Sequence, residues 1–398
     1  MTESQFQFLG WTPDAPIPEA DKTPVTMLSG FLGAGKTSLL RHLLAHSGGK
    51  RIGLIVNDVG SVNLDADLLR RHFPEGGGVV GGMRELTRGC ICCSITNELG
   101  DALLHLVRNV KPDHIFVESS GVAEPRNILE SLCRRNLAGH HALELVRIFN
   151  MVTVVGGPEF LEQWSGMRQT RKRRQHIFFQ DPRRPLSELM MEQVELADVL
   201  VLNKTDVLKP EELEKAVNLL RGINPRADLF TTVEGALESD FLLETARFSL
   251  KDTQRGSLLR SRLEMLPGQK TPPDAHAGFG LTAFTYTARK PFRERDFFRV
   301  LRTELPEVLR AKGFYWVAEH PERCGMLSLA GHLLRADLMG KWFLDFMEAG
   351  EFTEEEMPET VRRVWDDTHG DRRQEIVLIG IDLDETAIRE KLDACLVS

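Results

Sequence analysis

At 398 residues, 42% hydrophobic and 27% charged, the chain is long enough for two packed domains and has an ordinary globular composition. Its net charge of −8 argues against nucleic acid as the main partner, because a phosphate backbone demands clustered positive charge. No apolar run approaches the roughly 20 residues of a membrane span, and the start MTESQFQFLGWTPDAP lacks the basic and apolar regions of a secretory signal. Six cysteines, three of them within four residues, do not read as a disulfide framework, so a reduced, cytoplasmic setting is expected, with no membrane partner.

Residues 1–22, rich in proline and polar side chains, are expected to form a flexible arm. From Pro24 the pattern alternates between strands and helices. Val25–Ser29, Ile52–Val56, Ile115–Val117 and Val199–Leu202 are short, continuous apolar runs, and Leu39, Leu40, Leu43 and Leu44 follow helical spacing. Such runs alternating with helices predict an α/β domain with a mostly parallel sheet, here residues 23–250. Residues 251–277 lack apolar periodicity and are expected to be a linker. A smaller α+β domain follows over 278–398, with strands at Leu281–Thr287, Gly313–Val317 and Glu375–Ile381. Helices are expected over Arg295–Glu304 and Glu385–Leu396, the second with Asp384 as N-cap.

The first chemical motif is Gly30-Phe31-Leu32-Gly33-Ala34-Gly35-Lys36-Thr37, followed by Ser38, between a predicted strand and a predicted helix. Glycines at Gly30, Gly33 and Gly35 let the loop curl so that its amides face phosphate oxygens. Lys36 supplies positive charge to the β and γ phosphates, and the Thr37 hydroxyl is placed to ligate Mg²⁺. Asn203-Lys204-Thr205-Asp206 follows the apolar run 199–202, at the carboxyl end of a strand where ligands bind in open α/β sheets. The Asp206 carboxylate can accept from guanine N1 and N2, and adenine would leave it unpaired, so GTP is the expected nucleotide. Glu118, at the end of the third run, is the candidate for holding Mg²⁺. Asp58, after the second, either senses the nucleotide from a loop or is a solvated turn residue.

Three thiols stand between these motifs, at Cys90, Cys92 and Cys93. Zn²⁺ favours tetrahedral thiolate ligation, and three sulfurs this close surround one ion if the backbone turns. Ile95, Leu99, Leu103, Leu106 and Val110 continue at helical spacing. The thiols therefore precede a helix N-terminus, which favours the thiolate. The fourth ligand is open: water, Asp58 or a partner's side chain. A small buried cluster of free cysteines is the plainer alternative. Cys133 and Cys395 are expected in the core, and His320 with Cys324 in a structural loop. The basic run Arg168–Arg174, with Arg183 and Arg184, reads as a solvated insertion (168–184) in the first domain or as a surface for an acidic partner.

Taken in order, GFLGAGKT, GCICC, ESSGVAEP and ADVLVLNKTD resemble the CobW-like family of P-loop GTPases, relatives of the nickel-enzyme accessory GTPases. The resemblance extends over about residues 24–398, including LRAKGFYWVAE and QEIVLIGIDL in the second half. It implies GTP hydrolysis coupled to delivery of Zn²⁺, or in some members Co²⁺, to a client apoprotein, with metal held by Cys90, Cys92 and Cys93. A cobalt or iron insertion factor for one dedicated enzyme is the alternative, and a metabolite kinase or a passive zinc-binding scaffold lies further off. The chain departs from the family in places. Asn57-Asp58-Val59-Gly60-Ser61 stands where Asn-Glu-Phe-Gly-Glu is common, Arg88 replaces an Asn, Val154-Val155-Gly156 stands where a Val-Asp pair is usual, and His276 alone remains of a His-rich linker. No Gln or Arg is an obvious catalytic finger, so slow intrinsic hydrolysis is expected.

Overall fold

The computed structural model describes residues 16–57, 80–86, 95–119, 121, 125–136, 138–170, 175–177, 186–248, 281–331, 333–381 and 383–397. Two compact units divide the chain: residues 1–161 with 189–256, and residues 162–188 with 257–398.

The first unit is built on a seven-stranded sheet. Its strands are β1 (Thr23–Gly30), β2 (Ile52–Asn57), β3 (Val80–Leu86), β4 (His114–Glu118), β5 (Val146–Gly156), β7 (Val199–Asn203) and β8 (Asp228–Thr231). Their order across the sheet is β3-β2-β4-β1-β5-β7-β8, and every pairing is parallel. Side chains alternate between faces along a strand, and both faces here are covered. Val25, Met27, Ile55, Ile115 and Val117 join one apolar cluster with Leu99 and Leu103. Leu28, Leu54, Val56 and Phe116 join the other with Leu39, Leu40 and Leu43. That double burial is why these strands read as unbroken apolar runs.

Helix α1 (Lys36–Ala45) begins directly after the loop that follows β1. Leu39, Leu40, Leu43 and Leu44 are fully buried beneath it, each contributing about 1.5–3 kcal/mol, which fixes the helix and so the loop at its head. Helix α2 (Ile95–His105) carries the predicted Leu99 and Leu103 inward, then loosens into a π-helical turn over Leu106–Val110. Helices α3 (Pro125–Cys133), α4 (Gly157–Thr170), α5 (Leu186–Glu195) and α6 (Pro210–Ile223) follow. Cys133 is exposed, not in the core: it closes α3 on the side away from buried Ile128 and Leu132. Of the expected N-terminal arm, residues 16–22 are described. Ile17 packs against the first cluster, and Glu19–Asp21 form a single 3-10 turn.

The second unit holds a six-stranded sheet that includes β6 (Gln175–Ile177), in the order β6-β12-β11-β10-β13-β9. Strands β9 (Leu281–Ala288), β10 (Val308–Tyr315), β11 (Arg323–Ala330), β12 (Leu333–Lys341) and β13 (Gln374–Ile381) pair antiparallel. The strand expected at Gly313–Val317 thus starts earlier, at Val308, because Leu309, Arg310 and Ala311 are buried members of the same ladder. Cys324 lies in β11 instead of a loop, and burial pushes its thiol up to about 12. Helix α7 (Glu294–Thr303) and helix α8 (Glu385–Asp393) supply Phe297, Leu301, Ile388 and Leu392 to a core shared with Phe284, Tyr286, Tyr315 and Leu378. The Asp384 side chain accepts from the Ala387 N–H at 3.0 Å, the cap expected from sequence. Cys395 is buried.

The segment after the basic run does not stay with the first unit. Strand β6 (Gln175–Ile177) pairs in parallel with β12, and residues 162–188 group with the second unit. Buried Glu188 accepts from Ser328 Oγ at 3.4 Å and from Arg335 at 3.5 Å. Strand pairing between residues far apart in the chain leaves no mark in local composition. Among the described residues no helix is long and apolar enough to cross a membrane.

Candidate functional site

Five adjacent strands, β4-β1-β5-β7-β8, bring their carboxyl ends to one edge of the parallel sheet. That edge is where open α/β sheets bind ligands. The loop after β1 turns on two glycines that no other residue could replace there. Gly30 has φ +138°, and a Cβ on it would lie 2.2 Å from the Val154 carbonyl oxygen on β5. Gly35 has φ +102°, and its Cβ would lie 2.2 Å from Asn203 Nδ2. Both positions lie in backbone territory that side chains disfavour.

The Lys36 ammonium is buried and curls over the loop, donating to the Gly30 carbonyl at 2.9 Å and to Phe31 O at 3.3 Å. Thr37 and Ser38 lie in the first turn of α1, with Gly35 as its N-cap. The Thr37 hydroxyl donates to Glu118 Oε1 at 3.3 Å, joining the head of α1 to the end of β4. Glu118 is 3% exposed. A hydroxyl and a buried carboxylate at one spot form a hard oxygen donor pair, which suits Mg²⁺. Next to it, Ser119 donates through N–H and Oγ to Leu28 O at 2.9 and 3.0 Å, fixing the start of the segment after β4. Gly121 in that segment abuts the phosphate loop: a Cβ there would be 2.7 Å from the Leu32 amide nitrogen. Leu32 is 59% exposed at the loop's lip.

On the other side of β1, Asn203 closes β7 and is buried. It donates to the Ala34 carbonyl at 3.0 Å, and its own oxygen accepts from Thr232 Oγ1 at 3.1 Å and the Gly235 N–H at 2.9 Å. Lys204 follows with φ +60° and makes an ion pair with Glu159. Asp206 is exposed, leaving its carboxylate open to a ligand. Gly33, with φ +75°, has open space before it.

Of the residues singled out from sequence, the structure thus brings together Gly30, Gly33, Ala34, Gly35, Lys36, Thr37, Ser38 and Glu118 around α1, and ties Asn203 to them. Asp58, Cys90, Cys92 and Cys93 lie outside the described residues. Among the described residues no group of three His, Cys, Asp or Glu side chains could hold a metal ion. Two parts went unrecognised in the sequence. One is the loop after β8, Thr232–Gly235, whose signal was a glycine following a short run at the sheet's edge; Glu234 there has φ +51°. The other is Glu159.

The doubly covered parallel sheet, with a glycine loop opening onto α1, defines the class: a P-loop nucleotide-binding protein. Residues 24–231 match the CobW/HypB/UreG nucleotide-binding domain family model, and residues 281–396 match the cobalamin synthesis protein cobW C-terminal domain. The chain belongs to the CobW/HypB/UreG family of P-loop GTPases. It is similar to the zinc-regulated GTPase metalloprotein activator 1 of Dictyostelium discoideum, 32% identical over 95% of this chain and 80% of that protein. It is also similar to the zinc chaperone YjiA of Escherichia coli strain K12, at 29% identity over 75% of this chain and 83% of that protein. The crystal structure of Zn(II)-bound YjiA GTPase from E. coli aligns over 94% of this chain and 99% of that one, with 22% identity and a TM-score of 0.42.

Proposed function

We propose that this chain is a GTP-hydrolysing metallochaperone that binds Zn²⁺ through Cys90, Cys92 and Cys93 and passes it to a client apo-metalloprotein. The observation that carries this reading is the tie from Asn203 to Ala34, which joins a guanine-type loop to a phosphate loop. It occurs in a chain similar over nearly its whole length to a protein named as a zinc-regulated GTPase metalloprotein activator.

Lys36, held on loop carbonyls at 2.9 and 3.3 Å, exchanges those contacts for phosphate oxygens when nucleotide enters. The loop amides and the head of α1 stabilise the same negative charge. Thr37 and Glu118 would hold Mg²⁺, which would supply positive charge against the developing negative charge of the phosphates. Asp206 reads the guanine edge, and Asn203 keeps that loop in register with the phosphates. Gly121 lies beside the phosphate loop, where an added Cβ would stand 2.7 Å from the Leu32 amide nitrogen, so the room left at Gly121 lets the loop keep its course. Zinc is the cargo here, and thiolate is its favoured ligand.

The test is Zn²⁺ affinity by chelator competition in GTP-Mg²⁺ and in GDP-Mg²⁺, on wild type and Cys92→Ala. The proposal expects a difference between the two nucleotides and loss of one zinc equivalent in the variant. Unchanged zinc stoichiometry and unchanged metal response of hydrolysis in Cys92→Ala would sink it.

A further inference from the structure

Glu159 belongs to none of the sequence motifs, yet it enters the nucleotide site. It lies in the first turn of α4, just past the end of β5. One carboxylate oxygen, Oε1, takes the Lys204 ammonium in an ion pair. The other, Oε2, is buried without a hydrogen bond. It lies 2.3 Å from where a Cβ on Gly156 would stand, and that same point is 3.4 Å from the Ala34 Cα. The carboxylate therefore occupies the room that the missing side chain at Gly156 provides, beside the phosphate loop.

Lys204 needs such a partner. Its φ of +60° is unusual for a residue with a side chain and persists only where neighbours hold it. The backbone on its far side is held because Thr205 donates to Thr232 O through both N–H and Oγ1, at 3.3 and 3.0 Å. The side chain is held by Glu159. A long lysine free to rotate would lose that freedom on ligand binding, and one already fixed does not.

We propose that Glu159 is a positioning residue of the guanine loop: it fixes the Lys204 side chain before nucleotide binds, and Gly156 leaves the space that makes this possible. The proposal rests on reading Asn203–Asp206 as a guanine loop. It carries a sign. With Lys204 present, the carboxylate helps binding by orienting the ammonium. With Lys204 removed, it is an unneutralised negative charge beside a loop built for phosphate, and it opposes binding.

The experiment measures affinity for fluorescent mant-GDP, at fixed low salt, in wild type, Glu159→Gln, Lys204→Met and the double variant. Thermal melts without nucleotide confirm folding. Glu159→Gln alone is expected to weaken binding by about two- to five-fold, the range of a partly exposed ion pair. In the Lys204→Met background the same change is expected to leave affinity equal or improved. Gly156→Ala, which pushes the carboxylate aside, is expected to match Glu159→Gln and to add nothing to it. Equal weakening by Glu159→Gln in both backgrounds, or none in either, overturns the proposal. Wild type that binds mant-ADP as tightly as mant-GDP overturns the guanine reading, and this proposal with it.

Discussion

The Asn203 side chain donates to Ala34 O at 3.0 Å while accepting from the Gly235 N–H at 2.9 Å, so one buried amide joins the ends of β1, β7 and β8. Asn203→Ala leaves the Ala34 carbonyl, the Thr232 hydroxyl and the Gly235 N–H without that partner. Each unmet buried group costs about 1–3 kcal/mol, and partial relaxation sets the expected loss of stability at roughly 2–4 kcal/mol. Urea unfolding of nucleotide-free protein measures it. A loss below about 0.5 kcal/mol, the scatter of neutral surface changes, would mean the three loops hold themselves.

Asp206→Asn separates recognition from stability. Asp206 is exposed, so its replacement is expected to leave unfolding unchanged. A carboxylate accepts from both guanine N1–H and N2–H, whereas an amide offers one acceptor and one donor. The donor faces N2–H in guanine and a carbonyl in xanthine. GDP affinity is expected to fall by at least about ten-fold and xanthosine diphosphate affinity to rise. Competition against a fluorescent nucleotide reads both. Parallel losses for both bases would place the base elsewhere.

Glu118 and Thr37 test the magnesium assignment. Glu118→Gln keeps an oxygen for the Thr37 hydroxyl, now at 3.3 Å from Oε1, but removes the charge. The Mg²⁺ concentration for half-maximal GTP hydrolysis is expected to rise by about ten-fold or more, with GDP binding in EDTA unchanged. A magnesium profile identical to wild type would move the ion to another carboxylate.

Gly121→Ala tests the contact between the segment after β4 and the phosphate loop. An added Cβ would sit 2.7 Å from the Leu32 amide nitrogen, and backbone does not swing aside as a side-chain tip would. The variant is expected to slow hydrolysis by at least about ten-fold, the size of a misplacement near 1 Å at a reacting centre. GDP affinity is expected to change less. Unchanged turnover with unchanged affinity would show that the two loops move independently.

The parts of the fold legible in the sequence were those with unbroken apolar runs. β1, β2, β4 and β7 are buried on both faces, so their runs Val25–Ser29, Ile52–Val56, Ile115–Val117 and Val199–Leu202 carry only apolar or small side chains. β3 escaped because its Val80-Gly81-Gly82 opening accommodates Val110 side-chain carbons within 2.8 Å of where Cβ atoms would stand, a packing reason for glycine that mimics a turn. β8 escaped because it is a four-residue edge with both ends exposed. β6 pairs with a strand more than 150 positions away, which no local pattern records. At the site, motif spacing pointed to Lys36, Thr37, Glu118 and Asn203, but not to what holds them. Glu159 and Thr232 act through Lys204 and Asn203 from other strand ends, and only the sheet order β5-β7-β8 makes them neighbours.

His114, beneath the site on β4, sets an acid limit on the first unit. Its ring is hydrogen-bonded through Nε2 to Thr26 Oγ1 at 2.8 Å and packs on Phe116 and Phe149 at 5.0 and 5.3 Å. Burial, with smaller effects from Lys50 and Arg147, pushes its pKa down to about 3 from 6.5. The folded form therefore keeps a neutral ring where the unfolded chain takes a proton. Above pH 6.5 the two states bind no proton here and the group exerts no pull. As pH falls from 6.5 toward 3, the unfolded state gains a proton that the fold refuses, and stability drops by on the order of 1 kcal/mol per pH unit. His114→Gln removes the titration and disturbs the bond to Thr26. Its melting temperature is expected to lie below wild type at pH 7.5, and the gap is expected to narrow steadily between pH 6 and 4. Carboxylates titrate over part of that window in both proteins, so the difference between the two curves isolates the histidine. Parallel curves would mean that His114 is protonated in the folded state and that another group answers for its charge.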